Sequence, residues 1–248
     1  MKSNIFTLLC LLLFMEGKGQ NTPTNNIGRL SKNDWSSVLR GNQPLMTTKN
    51  PEVELRGHPF VFDEWKEGNI ILTDSSRSED PHLKFKLNAE ESEIWVLTGD
   101  KIERILTDKR IIGLDLKFKD TFLLYRKRLL PEFPTMPRYV QIIYEGHQYS
   151  LVKHTQKTFI KADYVDKGVA VVGRKYDSFE SVESYYVIDS NQKTSKIKLS
   201  KGDILKATAT VSRPKREEIL AFCKENDIRN PIDEEDAALV LGFIDKLK

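Results

Sequence analysis

Cysteine is nearly absent: two residues in 248, Cys10 and Cys223. Also missing are a Gly-x-Ser-x-Gly elbow, a Gly-x-Gly-x-x-Gly or Walker-type loop, and any His-x-His, His-x-x-x-His or His-Glu-x-x-His pair. Each absence removes a local source of chemistry. Without the elbow, no serine sits on the sharp turn that exposes a nucleophilic hydroxyl. Without glycine-rich turns, phosphates find no backbone cradle. The histidines, His58, His82, His147 and His154, are so spread that no two share a helical or strand face at short range. His147 and His154 stand seven apart, an odd offset that sends them to opposite sides of a strand. No cofactor or metal is expected, and no residue is designated catalytic, cofactor-binding or metal-ligating.

An excess of one charge is missing too. Lys and Arg outnumber Asp and Glu by 39 − 36 = 3, with both signs interspersed, so no strong field draws in nucleic acid or an anionic membrane. With 39% hydrophobic and 30% charged residues the composition is that of a folded globular chain, not a disordered one.

What is present begins at the N-terminus. Lys2 precedes an eleven-residue apolar run, Ile5 to Met15, and polar Glu16 to Gln20 follows. That is the three-part layout of a secretory signal peptide. As a helix the run spans roughly 16 Å, about half of a ~30 Å hydrocarbon core, so it is too short for a permanent anchor. Gly17 and Gly19 suit a signal peptidase pocket, which places the signal peptide at 1–19, Gln20 as the new N-terminus and the product outside the cytoplasm, periplasmic or extracellular. Cys10 lies inside the apolar run, after Thr7-Leu8-Leu9 and not after small residues, which argues against lipidation. Cleavage leaves Cys223 alone, so no intramolecular disulfide can form and the core must supply the stability. The remaining 229 residues are enough for a sizeable core. No other run reaches transmembrane length, so a membrane-spanning segment is not expected after cleavage.

Residues 20–52 read as a flexible arm, rich in Asn and Thr, in which Ser31 and Asp34 can cap a short helix through Arg40. From Val53 to Leu205 the dominant signal is period-two alternation. Leu83, Phe85 and Leu87 alternate with His82, Lys84 and Lys86, and Ile112, Leu114, Leu116 and Phe118 repeat the pattern. Gly99-Asp100, Glu145-Gly146 and Lys201-Gly202-Asp203 are turn signals, so consecutive strands are expected to pair as hairpins. After Ser212 and Pro214 the period becomes helical. Ile219, Leu220, Phe222 and Cys223 mark one helix; Asp233 as N-cap, with Asp236 at N3 and an Ile232/Ala237 staple, starts a second. Cys223 on that stripe reads as a small core residue, not a nucleophile. The fold expected is thus α+β and β-rich: one domain over 53–248, a curved antiparallel meander sheet or open barrel over 53–205 with a helical hairpin over 212–248.

Other features have architectural readings. Arg126-Lys127-Arg128 followed by Pro131, Pro134 and Pro137 matches an Arg-x-x-Pro-x-x-Pro groove ligand in form, but reads better as a long, proline-stiffened connection. Lys84, Lys86, Lys117, Lys119, Lys196 and Lys198 can share one solvated basic face. Trp65 reads as a plug at the end of the core, and of the adjacent pair Tyr185-Tyr186 one ring must point outward.

Gly57-His58-Pro59-Phe60, Asp63-Glu64-Trp65, Gly68, the Leu83–Leu87 strand and the Glu217–Leu247 helix pair together resemble a family of exported proteins of Bacteroidota-type bacteria. The resemblance covers roughly 57–248 and implies export and a β-rich fold; it brings no activity and no catalytic residues. Two functional readings follow. The first is a non-catalytic binding or accessory protein of the cell envelope, with a protein, glycan or lipid partner or an apolar ligand. The second is a carboxylate-dependent hydrolase of envelope polymers using Asp63 and Glu64 with His82; adjacent carboxylates on a strand point apart, which counts against it.

Overall fold

This computed structural model describes residues 54–78, 80–99, 101–166, 171–208 and 213–247. The expected signal peptide, the arm with its Ser31–Arg40 helix, and Ser212 as a helix cap lie outside the described residues. Among the described residues thirteen strands precede three helices: β1 (Leu55–Arg56), β2 (Lys66–Leu72), β3 (Lys84–Asn88), β4 (Glu93–Leu97), β5 (Glu103–Leu106), β6 (Ile111–Phe118), β7 (Thr121–Leu130), β8 (Phe133–Glu145), β9 (Tyr149–Ile160), β10 (Val165–Asp166), β11 (Val171–Val172), β12 (Asp177–Asp189), β13 (Thr194–Ile197), α1 (Lys201–Ala207), α2 (Arg213–Glu225) and α3 (Glu234–Lys246).

One open sheet runs β1-β12-β9-β8-β7-β6-β2-β3-β4-β5, with β13 sharing the β12 edge and β10–β11 forming a separate ribbon. The α+β, β-rich class with helices at the C-terminus holds. Pairing is antiparallel except for β1, which runs parallel to β12. The simple meander is broken where β1 joins β12 and where β6 returns to β2. β2 pairs its first two residues with β3 and Gly68–Leu72 with β6, so β3–β5 branch off the main sheet. Their apolar face, Phe85, Leu87, Ile94 and Val96, closes a first core against Ile70, Leu114 and Leu116.

Where β8, β9 and β12 run past Val140, Leu151–Val152 and Tyr186–Ile188, both faces are buried. Leu151 and Val187 point to the side covered by Ile204, Ile219, Cys223, Val240, Leu241 and Ile244 of the helices. Their chain neighbours Val152 and Tyr186 point the other way and pack with Val140, Ile188, Leu130 and Phe133. The last two are the paired strand residues that flank the β7–β8 turn, so the far end of that hairpin must fold back over its own sheet. Arg128 is registered opposite Arg138, yet its Nη2 lies 3.9 Å from Glu145, seven residues further along β8. A straight strand would separate them by roughly 23 Å. Bulges at Arg128/Leu130 and Ile142/Tyr144 permit the curl.

Several expectations are corrected here. The basic stub and prolines are not a long loop: Arg126–Arg128 belong to β7, Pro134 and Pro137 to β8, and the connection is two residues long. Proline fits because β9 pairs with β8 only from Gln141 on, so Pro134 and Pro137 sit where one edge has no ladder to lose. Lys201-Gly202-Asp203 opens α1 and not a turn, since Ser200 Oγ accepts the Asp203 N–H at 3.1 Å as an N-cap. The six lysines share no face: β3 and β13 stand at opposite ends of the sheet, and Lys117 and Lys196 are paired with Glu67 and Glu132. Tyr186 and Tyr185 do alternate, but the helix side covers one as the curled hairpin covers the other. In α2, Ile219 and Cys223 are buried while Leu220 is exposed. The α3 start is as read, with Asp233 accepting the Asp236 N–H at 2.8 Å and Ile232 and Ala237 buried.

A buried carboxylate clasps α3 to the sheet. Asp245 accepts the Tyr144 hydroxyl at 2.8 Å and the Gln148 N–H at 3.1 Å. Gly146 lies directly beneath, where a Cβ would run into the Asp245 carboxylate and the Tyr144 hydroxyl. Gly146→Ala is expected to cost about 2 kcal/mol by displacing the clasp, read as a lower urea midpoint at unchanged m-value. On the opposite face His154 is buried against the Phe133 ring, 5.6 Å between centroids. Burial, then the Arg138 charge, lowers its pKa to about 4 from 6.5. The unfolded chain therefore binds the extra proton first, and stability falls as pH drops from 6.5 toward 4. His154→Gln should flatten that part of the pH–stability curve, a contribution of at most about 3 kcal/mol.

Candidate functional site

The segment after β2 is built from short side-chain turns. Asp74 Oδ1 accepts the Ser76 N–H and hydroxyl, and Ser75 takes a positive φ of 64°. The chain then lies back along β2: the Ser78 N–H donates to the Ile70 carbonyl and Ser78 Oγ accepts the Ile70 N–H. A second turn follows, with Asp80 Oδ1 accepting the His82 N–H at 2.9 Å. This return path stands Asp80, Pro81 and Leu83 over one side of a cleft of about 460 Å³, whose sheet side is Glu67, Asn69, Lys117 and Phe122. The volume falls in the range of small-molecule sites, roughly 300–1,000 Å³.

Its floor is apolar and its rim charged. Phe122 is 49% exposed, on the strand residue directly opposite Lys117. Lys117 Nζ donates to Glu67 at 3.0 Å. That hydrogen bond, followed by the charges of Lys117 and Lys84, lowers the Glu67 pKa, so Glu67 is held as a carboxylate and is no proton donor near neutrality. Behind the cleft Asp115 sits opposite Asn69 in register. It is 2% exposed and takes Arg126 Nη1 at 2.6 Å and Arg77 Nη1 at 3.6 Å. Asp115→Ala would leave Arg126 without its carboxylate and is expected to cost about 3 kcal/mol, checked by denaturant unfolding.

Two other polar regions are more closed or smaller. On the helix side of the sheet one cross-strand row reads Leu114, Tyr125, Gln141, Lys153, Tyr185. Glu234 at the start of α3 closes it, accepting Lys153 Nζ at 2.9 Å and the Tyr185 hydroxyl at 2.8 Å. Burial, aided by Glu234, raises the Tyr185 pKa, and burial raises those of Tyr125 and Tyr139. These phenols stay protonated: Tyr185 donates to Glu234, while Tyr125 and Tyr139 are packed into the first core. A polar notch of about 230 Å³ lies where Arg128, Glu145, His147 and Asp189 meet at the ends of the hairpins.

The residues weighed for hydrolysis are not brought together. Asp63 and Glu64 are exposed ahead of β2, and His82 is exposed beyond the Asp80 turn. Among the described residues no hydrogen bond or ion pair joins them. Glu64 is held by Lys66 Nζ at 2.6 Å, and that bond lowers its pKa, the reverse of what a general acid needs. His147 lies in the β8–β9 turn and His154 in the core. Among the described residues no three of His, Cys, Asp and Glu stand close enough to share a metal ion, and Cys223 is buried, with burial raising its pKa. Trp65 packs its ring under Lys86 Nζ, 5.2 Å from the centroid. Sequence reasoning missed Glu67, Asp80 and Phe122. Asp80-Pro81 carries a turn signal that sequence reasoning left unused, whereas Phe122 was hidden in the unbroken Phe122–Tyr125 run, which shows no alternation. Compared with family models, curated proteins and solved structures, the chain matches none.

Proposed function

We propose that this chain is an exported, non-catalytic binding or accessory protein of the cell envelope, and that the Phe122 cleft takes its partner or apolar ligand. The carrying observation is the composition of that cleft: an exposed ring and Leu83 for apolar contact, and a Glu67–Lys117 rim that neutralises itself. Such a surface supplies area and orientation but no poised acid, base or nucleophile. The apolar run Ile5–Met15 and the likeness to exported Bacteroidota-type proteins support secretion. Among the described residues no helix is long and apolar enough to cross a membrane. The partner class fitting this reading is a lipid, glycan or protein of the envelope.

The test has two parts. Intact-mass and N-terminal analysis of the product exported by a bacterial host should give a chain beginning at Gln20. Mass spectrometry of lipids, glycans and proteins co-purified with it should return a bound species that Phe122→Asp abolishes. A chain retaining Met1 in the cytoplasm sinks the export part, and a wild-type product with nothing bound sinks the binding part.

A further inference from the structure

Of the charged side chains lining the same cleft, Glu67, Lys117 and Asp80, only Asp80 has no ion-pair partner among the described residues. Glu67 is committed to Lys117, with Lys84 beside it in the β2–β3 register. Arg77, next to the cleft in the chain, is committed to Asp115. Asp80 is different: its Oδ1 caps the following turn through the His82 N–H, and among the described residues no cation lies within ion-pair distance of it. Asp80 and the exposed Phe122 ring line one cavity with Leu83 and Pro81. A carboxylate without a counter-charge and an open aromatic face both attract positive charge, the first by Coulomb force and the second through the ring quadrupole. Leu83 and Pro81 beside them call for a hydrocarbon body.

From this juxtaposition we infer that the cleft selects an organic cation, an ammonium or guanidinium group carried on an apolar chain, with the cation at Asp80 and the chain on Phe122 and Leu83. The inference rests on the binding role given to the cleft and adds the charge of its ligand. A free carboxylate or phosphate head is disfavoured because Lys117 is already neutralised and Asp80 repels it.

The experiment is an NMR titration of the secreted chain with octylammonium, octanoate and octanol as probes. Octylammonium should bind more tightly than octanol, and octanoate more weakly than both. Asp80→Asn keeps an oxygen for the turn and should erase most of the ammonium preference, a loss of about two- to fivefold for one exposed charge pair. Phe122→Ala should weaken all three probes. If octanol or octanoate binds as well as octylammonium, or Asp80→Asn leaves the order unchanged, the charge inference is overturned while the cleft keeps its binding role. If no probe shifts any resonance of the cleft, the binding role itself is overturned and this inference with it.

Discussion

Covering both faces of the central part of the β8–β9–β12 ladder, with no disulfide among the described residues to help, is the constraint on which the rest of the structure depends. Leu151 and Val187 on one face and Val152 and Tyr186 on the other are all buried. Two separate covers are therefore needed. The helices provide one and the curled end of the β7–β8 hairpin the other. At roughly 1.5–3 kcal/mol for each large apolar side chain removed from water, losing either cover would cost an amount comparable to a typical domain's whole stability.

The two covers are fastened by polar contacts of different kinds. On the helix side Asp245 is buried and locked to a hydroxyl and a backbone N–H, which makes the docking angle of α3 specific. On the hairpin side Glu132 accepts both the Tyr186 hydroxyl and Lys196 Nζ, at 2.9 and 2.8 Å, in a setting that water reaches. The hydrogen bonds thus set geometry, while the apolar contacts supply the larger share of the free energy. The cleft at Phe122 lies away from both fastenings, on the stretch where β2 leaves β3 for β6.

Much of the local structure was readable because its signals are local. Alternation in Leu83–Leu87 fixes a strand, and the Asp233–Asp236 cap fixes a helix start, whatever surrounds them. What failed to show were features set by distant partners. The prolines of β8 read as a loop until it is known that β9 pairs only from Gln141, and the spread lysines read as one face until their strands are ordered. Ile111 and not Ile112 reaches the core, because a register shift in the β2–β6 pairing turns the strand by one residue. The cleft was opaque for the same reason: Glu67, Asp80, Lys117 and Phe122 come from four separate stretches, and no spacing rule links them.

The open sheet leaves two borders, and they differ in kind. One is β5, four residues long, with Glu103 and Arg104 among them. The other is β12, whose border is filled at Asp177–Ser178 by β1 and at Tyr185–Ile188 by β13. Neither offers an uninterrupted, charge-free run of main-chain groups onto which a further chain could stack indefinitely. Within the described residues, further growth by strand addition at either border would therefore be cut short after a few residues.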